Sequence, residues 1–327
     1  MQHIASSFRL IVALLAAALG FAAGPASAQT YPTQPIKIIV ATAAGGIADL
    51  VARTLAQKLS EGGKTTLVEN RTGGAGAIGA DAVAKSPPDG YTLFIGMHST
   101  NAILHHLVAK LPYDGIKDFA PVTNIVASAN ILVVHPDVPA KSMSELVAYA
   151  KSKPGKLIYA SQGNGTSGHI VGEQFKQLAG IDLVHVPYRG AAPAIQDLVA
   201  GHVSLLFDIV PLARTQIAAG KVRALAVASP QRLDGLPDVP TMAEAGFPEL
   251  EGGPWFGLLA PAGTPRAVVD WLNGETRKAF AASDVAERFL SQGMTLPLGT
   301  PEEFSAFIAA ESIRWGDIVR KTGIRMD

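Results

Sequence analysis

The 327-residue chain contains no cysteine, so disulfide scaffolds, thiolate nucleophiles and Cys-based zinc or iron–sulfur sites are all excluded. Charge of one sign is not in excess either, since 27 Lys and Arg face 27 Asp and Glu, and charged residues are only 17% of the chain. Phosphate binding needs concentrated positive charge, which argues against nucleic acid as a partner. The histidines, among them His105, His106, His135, His169, His185 and His202, lack H-x-x-x-H or H-E-x-x-H spacing, so no metal site and no cofactor are expected. Only one apolar run stands out, at 10–23. It follows Arg9 and precedes the small-x-small pattern Ala26-Ser27-Ala28, which reads as a signal peptide cleaved after Ala28. The run is short for a membrane span of roughly 20 residues, and Gly24-Pro25 breaks it, so export outweighs anchoring. Removal of 1–28 takes away one positive charge, that of Arg9, and leaves a soluble protein outside the cytoplasm.

What is present is apolar: hydrophobic residues make up 48% of the chain, enough for a large core, and the length suits two domains of roughly 150 residues. Short β-branched runs alternate with helical periodicity. Residues 36–40 read as a strand, and Val51, Leu55 and Leu59 line one face of a helix beginning near Asp49. The cycle recurs with strands at 66–69 and 91–95 and helices at 78–85 and 101–109. A second series has strands at 131–134, 157–160, 183–186, 204–207 and 224–228 and helices at 142–151, 167–178, 193–200 and 212–219. Serial βα units imply mostly parallel, helix-flanked sheets. Helices at 266–282, 285–292 and 301–322 form a tail able to cover the first sheet.

Gly-rich turns between a strand and a helix offer backbone N–H groups to an anion. Two of them look functional. The first holds Ala44, Gly45 and Gly46, with Asp49 most simply a helix cap. The second runs over 161–169 and packs Ser161, Gly163, Asn164, Gly165, Thr166, Ser167 and His169 into one loop, a density of small donors suited to a carboxylate; an ordinary capped loop is the plainer alternative. Residues 74–79 match G-x-G-x-x-G, yet the strand that follows ends in Gly96-Met97-His98 without a ribose-binding acid, so NAD is not expected. Ser99 and Thr100 lie just past one strand's carboxyl end, and Tyr188, Arg189 and Asp208 occupy equivalent places in the second half. Asp208 suits an amine or hydroxyl on a ligand, or caps the turn before Pro211. Tyr159-Ala160-Ser161-Gln162-Gly163 lacks the first glycine of a G-x-S-x-G elbow, which weakens a serine-hydrolase reading.

Ten collinear segments resemble the Bug-type extracytoplasmic solute receptors of tripartite tricarboxylate transporters. They lie at 31–36, 45–49, 68–71, 88–93, 111–114, 118–122, 163–166, 185–190, 237–241 and 260–265, and include Pro88-Asp89-Gly90-Tyr91-Thr92-Leu93 and Pro237-Asp238-Val239-Pro240-Thr241. The resemblance implies a two-domain periplasmic-binding-protein fold of type II, α/β throughout, with domain 1 built from 29–128 plus 229–327 and domain 2 from 129–228. It implies a ligand in the interdomain cleft, held by backbone N–H groups, hydroxyls and waters between the two turns named above. It implies a non-enzymatic, monomeric periplasmic receptor that passes a small carboxylate (a di- or tricarboxylate, an aromatic acid or an amino acid) to membrane permease subunits. A sensor docking a membrane signalling protein is the other binding role, and an exported hydrolase the enzymatic one. The chain departs from the family in one respect: Ala41-Thr42-Ala43-Ala44 replaces the usual aromatic and proline ahead of the first glycine pair.

Overall fold

The computed structural model describes residues 31–326, and the expected leader with its cleavage point after Ala28 lies outside the described residues. The chain opens with β1 (Ile36–Val40), α1 (Ile47–Glu61), β2 (Thr66–Asn70), α2 (Ala77–Ala84) and β3 (Thr92–Met97). In α1 the expected stripe of Val51, Leu55 and Leu59 is buried, as four-residue spacing on one helical face demands. A wide helical turn at Ser99–Ile103 and the single-turn α3 (Leu104–Leu107) take the place of the helix expected at 101–109. Side-chain hydrogen bonding competes with the helix here: Thr100 Oγ1 donates to Met97 O, and Asn101 Nδ2 reaches Gly115 O at 2.8 Å. The ten-residue strand β4 (Phe119–Ser128) follows.

The second series then runs β5 (Asn130–Val134), α4 (Met143–Ser152), β6 (Ile158–Ser161), α5 (Ser167–Ala179), β7 (Val184–Pro187), α6 (Ala191–Val199), β8 (Leu205–Ile209), α7 (Val210–Ala218) and β9 (Arg223–Val227). The chain returns through β10 (Trp255–Pro261), α8 (Arg266–Ala281), α9 (Ser283–Leu290), β11 (Met294–Thr295) and α10 (Pro301–Thr322). A capping box between Thr300 and Glu303 starts α10, and Gly323 in the left-handed region ends it.

Two sheets result, ordered β11-β4-β10-β3-β1-β2 and β7-β6-β8-β5-β9. Within each, the βαβ core is parallel, β1 with β2 and β3 in one and β6 with β7 and β8 in the other. The remaining pairings are antiparallel. The sheets are therefore mixed rather than mostly parallel, because β10 in one sheet and β5 in the other, the strands by which the chain enters a sheet after a crossing, run against the βαβ direction. Both flanks of the first sheet are covered. α8 and α10 pack against β4, and β10 is buried along its whole length, with Trp255 edge-on to Phe304 at 5.5 Å between ring centroids. Each such buried aromatic or aliphatic side chain contributes about 1.5–3 kcal/mol.

The two crossings between sheets are hydrogen-bonded to each other. Ala129 alone separates β4 from β5. Ser128 N donates to Pro254 O, Asn130 N to Gly252 O, Gly252 N to Ala228 O and Ala228 N to Asn130 O. A Cβ on Gly253 would lie 2.1 Å from Ser128 O, so the close approach of the two segments requires glycine there.

Candidate functional site

Parallel pairing puts the ends of β1 and β3 on one sheet edge, and the ends of β6, β7 and β8 on one edge of the other sheet. The loops that follow these strands meet. Ser167 N donates to His98 Nε2 at 3.3 Å, and a Cβ on Gly165 would meet Leu104, Leu107 and Met326. Open α/β sheets bind ligands at such carboxyl edges.

On the first edge, Ala43 to Gly46 are exposed, and Gly45 holds φ +86 with open space where a Cβ would be. Gly46 is the N-cap of α1 and supplies no side chain to cap it, so the helix begins with free amides. Asp49 is buried and fully engaged. Its carboxylate accepts from Gly45 N at 2.9 Å, Arg53 Nε at 2.9 Å and Asn70 Nδ2 at 2.9 Å. Burial alone raises its pKa, but the bonds from Arg53, Gly45 and Asn70 outweigh that and hold it below the usual range. The carboxylate thus shapes the Gly45 turn and neutralises the nearest cation.

On the second edge, the loop over 161–169 satisfies most of its own donors. Gly163 N donates to Ser161 Oγ, Gly165 N to His169 Nδ1 at 3.2 Å, and Thr166 N to Gly163 O. Thr166 Oγ1 donates to Gly163 O at 2.7 Å and accepts from His169 N, capping α5. Ser167 Oγ donates to Asn130 Oδ1 at 3.0 Å. Asn164, at the tip, is exposed. A cavity of about 510 Å³ opens beside it, lined by Asn164, His169, Glu173 and residues 322–326; none of Ala44, Gly45, Gly46 and Asp49 reaches it.

Beneath the loop lies a polar stack. Ser161 Oγ and His185 Nε2 are 2.7 Å apart, His185 stacks between His169 and Tyr159, and Tyr159 Oη donates to Glu173 Oε1 at 2.5 Å. Burial, and next the neighbouring His169, push the His185 pKa down to about 4, so the imidazole is neutral at physiological pH. Tyr188 is half-buried, its hydroxyl on Asp197 at 2.6 Å and its N–H on Ser161 O, while Arg189 is exposed. Asp208, at the carboxyl end of central strand β8, is fully buried; Gln162 Nε2 donates to its Oδ1 at 3.1 Å, and Oδ2 has no partner.

The structure therefore brings the 161–169 loop, Tyr188 and Asp208 together, and sets the Gly45 turn on the facing sheet. Thr100 is completely buried and its hydroxyl is spent on Met97 and Asn101. Ser99 is buried in the turn that follows β3. Two residues of the segments singled out from sequence, though not among the expected ligand contacts, also belong to the site. Gln162 ties the loop to Asp208, and His98 meets the N-terminus of α5. Burial, and next the charge of Arg314, push the His98 pKa down to about 3, leaving a neutral ring able to accept the Ser167 amide. Its position directly after a strand end was the available signal. Among the described residues no group of three or more His, Asp or Glu is arranged to hold a metal ion.

Comparison with known proteins agrees with this architecture. The family model described as the tripartite tricarboxylate transporter family receptor matches residues 47–324, and the chain belongs to that family of periplasmic solute-binding receptors. It is 37% identical over 318 residues to Protein BugT of Bordetella pertussis (strain Tohama I), covering 97% of each chain. Among solved structures, R. palustris Rpa4515 with adipate is similar at 35% identity and a TM-score of 0.84, covering 90% of this chain and 99% of that one. MatC from Rhodopseudomonas palustris with bound malate is similar at 34% identity and a TM-score of 0.82, covering 88% of this chain and 100% of that one. Among the described residues no helix is long and apolar enough to cross a membrane.

Proposed function

We propose that this protein is an exported, monomeric receptor that captures a small organic carboxylate between its two sheets and delivers it to the membrane subunits of a tripartite tricarboxylate-type transporter, without catalysis and without a cofactor. The two units that close on the ligand are 29–128 with 229–327, and 129–228. The observation that carries this reading is the exposed, side-chain-uncapped start of α1 at Gly45-Gly46 opposite the Asn164 loop at the start of α5. Helix N-termini favour anions through free amides and the helix dipole, and no lysine or arginine is needed. The adipate and malate complexes of similar proteins support a carboxylate ligand. The paired crossings at 128–130 and 252–254 form a short, hydrogen-bonded hinge suited to closure.

A serine-hydrolase reading gains the Ser161–His185 hydrogen bond, but Ser161 is fully buried and no carboxylate among the described residues is bonded to His185. A thermal-shift screen of the mature chain, 29–327, tests both. A carboxylate at roughly 100 times its Kd stabilises by about 2.7 kcal/mol and raises Tm by several degrees. A shift without turnover is expected; ester turnover, or no shift across di- and tricarboxylates, aromatic acids and amino acids, defeats the receptor reading.

A further inference from the structure

Two buried polar atoms at the carboxyl edge of the second sheet lack a partner: Asp208 Oδ2 and Asn130 Nδ2. They sit on adjacent, paired strands, with Ile131 opposite Asp208 and Asn130 opposite Ile209, so their side chains leave opposite faces of the sheet. Each belongs to a side chain whose other polar atom is already tied into the candidate binding loop, Asp208 Oδ1 to Gln162 Nε2 and Asn130 Oδ1 to Ser167 Oγ. Asp208 has 0% exposure and takes part in no ion pair among the described residues. A buried carboxyl oxygen without a donor is costly, and so is a buried amide N–H without an acceptor.

Resting on the receptor reading above, we propose that Asp208 selects the ligand class: the physiological ligand is a small acid carrying a hydrogen-bond-donating substituent, a hydroxyl or an ammonium, rather than a bare di- or monocarboxylate. A ligand's substituent donates to Asp208 Oδ2, and its carboxylate accepts from the helix amides. A bare diacid brings only acceptor oxygens. Placed against the ionised Asp208 it leaves Oδ2 without a donor and sets like charges together in a water-poor site. Discrimination of this kind is strong because a site built for a hydrogen bond penalises the analogue that lacks it.

Matched ligand series test the proposal on the purified protein by titration calorimetry at pH 8, above the raised pKa of Asp208. Succinate, malate and aspartate share a four-carbon diacid skeleton and differ only at C2, as do glutarate, 2-hydroxyglutarate and glutamate. The hydroxy or amino member of a series is expected to bind at least ~10-fold more tightly than its bare diacid, the size of effect that one satisfied rather than unsatisfied polar group gives. In Asp208→Ala that preference falls to about twofold or less. Circular dichroism establishes that the variant is folded, and Asp208→Leu, which keeps the branching of the side chain without a polar atom, serves if the alanine variant is not. Equal binding of bare and substituted diacids to the unaltered protein, or a preference that survives in the folded variant, overturns the selection. Failure of every carboxylate in both series to bind instead overturns the receptor reading on which the selection rests.

Discussion

Replacing Asp208 by asparagine separates a titration from every other source of pH dependence. Burial raises the Asp208 pKa from its ordinary 3.8 to about 7, with only Ile209 N and Gln162 pulling the other way. Because the folded-state value lies above the unfolded one, the group supports the fold fully below about pH 3.8, and that support is lost as pH rises through about 7. At ~1.4 kcal/mol per pKa unit, and allowing for partial ionisation near each end, the protein loses about 2–3 kcal/mol between pH 5 and pH 8 through this one carboxyl. The amide side chain of Asp208→Asn has the same shape, can still accept from Gln162 and does not titrate. All other ionisable groups are common to both proteins and cancel in the difference. Urea unfolding without ligand, followed by tryptophan fluorescence at pH 5, 6, 7 and 8, should show the stability gap moving in favour of the asparagine variant by about 2–3 kcal/mol over that range. A gap constant to within about 0.5 kcal/mol would mean that Asp208 ionises as freely as in the unfolded chain, and the desolvation of the buried carboxyl derived from the structure would be refuted.

Gly46→Val should abolish carboxylate binding while leaving Tm nearly unchanged, since its φ of −79° suits any residue and a Cβ there meets nothing closer than 3.7 Å; retained affinity in calorimetry removes the first turn from the site. Gly253→Ala forces a Cβ into Ser128 O at 2.1 Å and should cost about 1–3 kcal/mol, seen as a fall of several degrees in Tm; an unchanged Tm shows that the crossings separate freely. Thr166→Ala removes the α5 cap and the bond to Gly163 O and should cost about 1 kcal/mol in urea unfolding, with no change meaning that the cap is idle. His98→Phe keeps the ring and deletes the acceptor for Ser167 N, and should destabilise by about 1–3 kcal/mol in the same assay, whereas equal stability would show that the amide finds water instead.

The βα series was legible in sequence because its signals are local. Val51, Leu55 and Leu59 mark one helical face, and the helix read at 301–322 coincides with α10, whose Thr300–Glu303 capping box and Gly323 stop are sequence-local devices. What escaped was non-local. β4 carries Pro121, Thr123, Asn124 and Ser128 among its apolar residues, and its pairing with β10 is interrupted by two register shifts, so neither alternation nor a continuous apolar run marks it. β10 contains Gly257 and ends in Pro261, both poor strand signals, and is held by neighbours distant in sequence. The site divides the same way. Glycine-rich turns announce themselves, but that Thr100 turns inward while its neighbour His98 reaches the start of α5 depends on Tyr113, Asn101 and the facing sheet, which no short motif encodes.

The histidines around the loop bear on how such a receptor releases its cargo. His98, His169 and His185 all have pKa values lowered first by burial, so these rings are neutral at physiological pH. Attraction for a carboxylate then comes from a few amides, each worth roughly 1.5–3 kcal/mol when the acceptor is charged. Three such bonds give about 5–9 kcal/mol, which corresponds to dissociation constants from the high micromolar range to just below micromolar. An arginine fork in the same place would add strength that hand-over must then undo. His98 sharpens this balance. Its Nε2 already satisfies the Ser167 amide without ligand, so an anion that claims that donor gains only the difference between a charged and a neutral acceptor. Under the proposed function, capture is correspondingly shallow, which suits hand-over to a membrane partner, and the proposed selectivity falls to groups deeper in the second sheet such as Asp208.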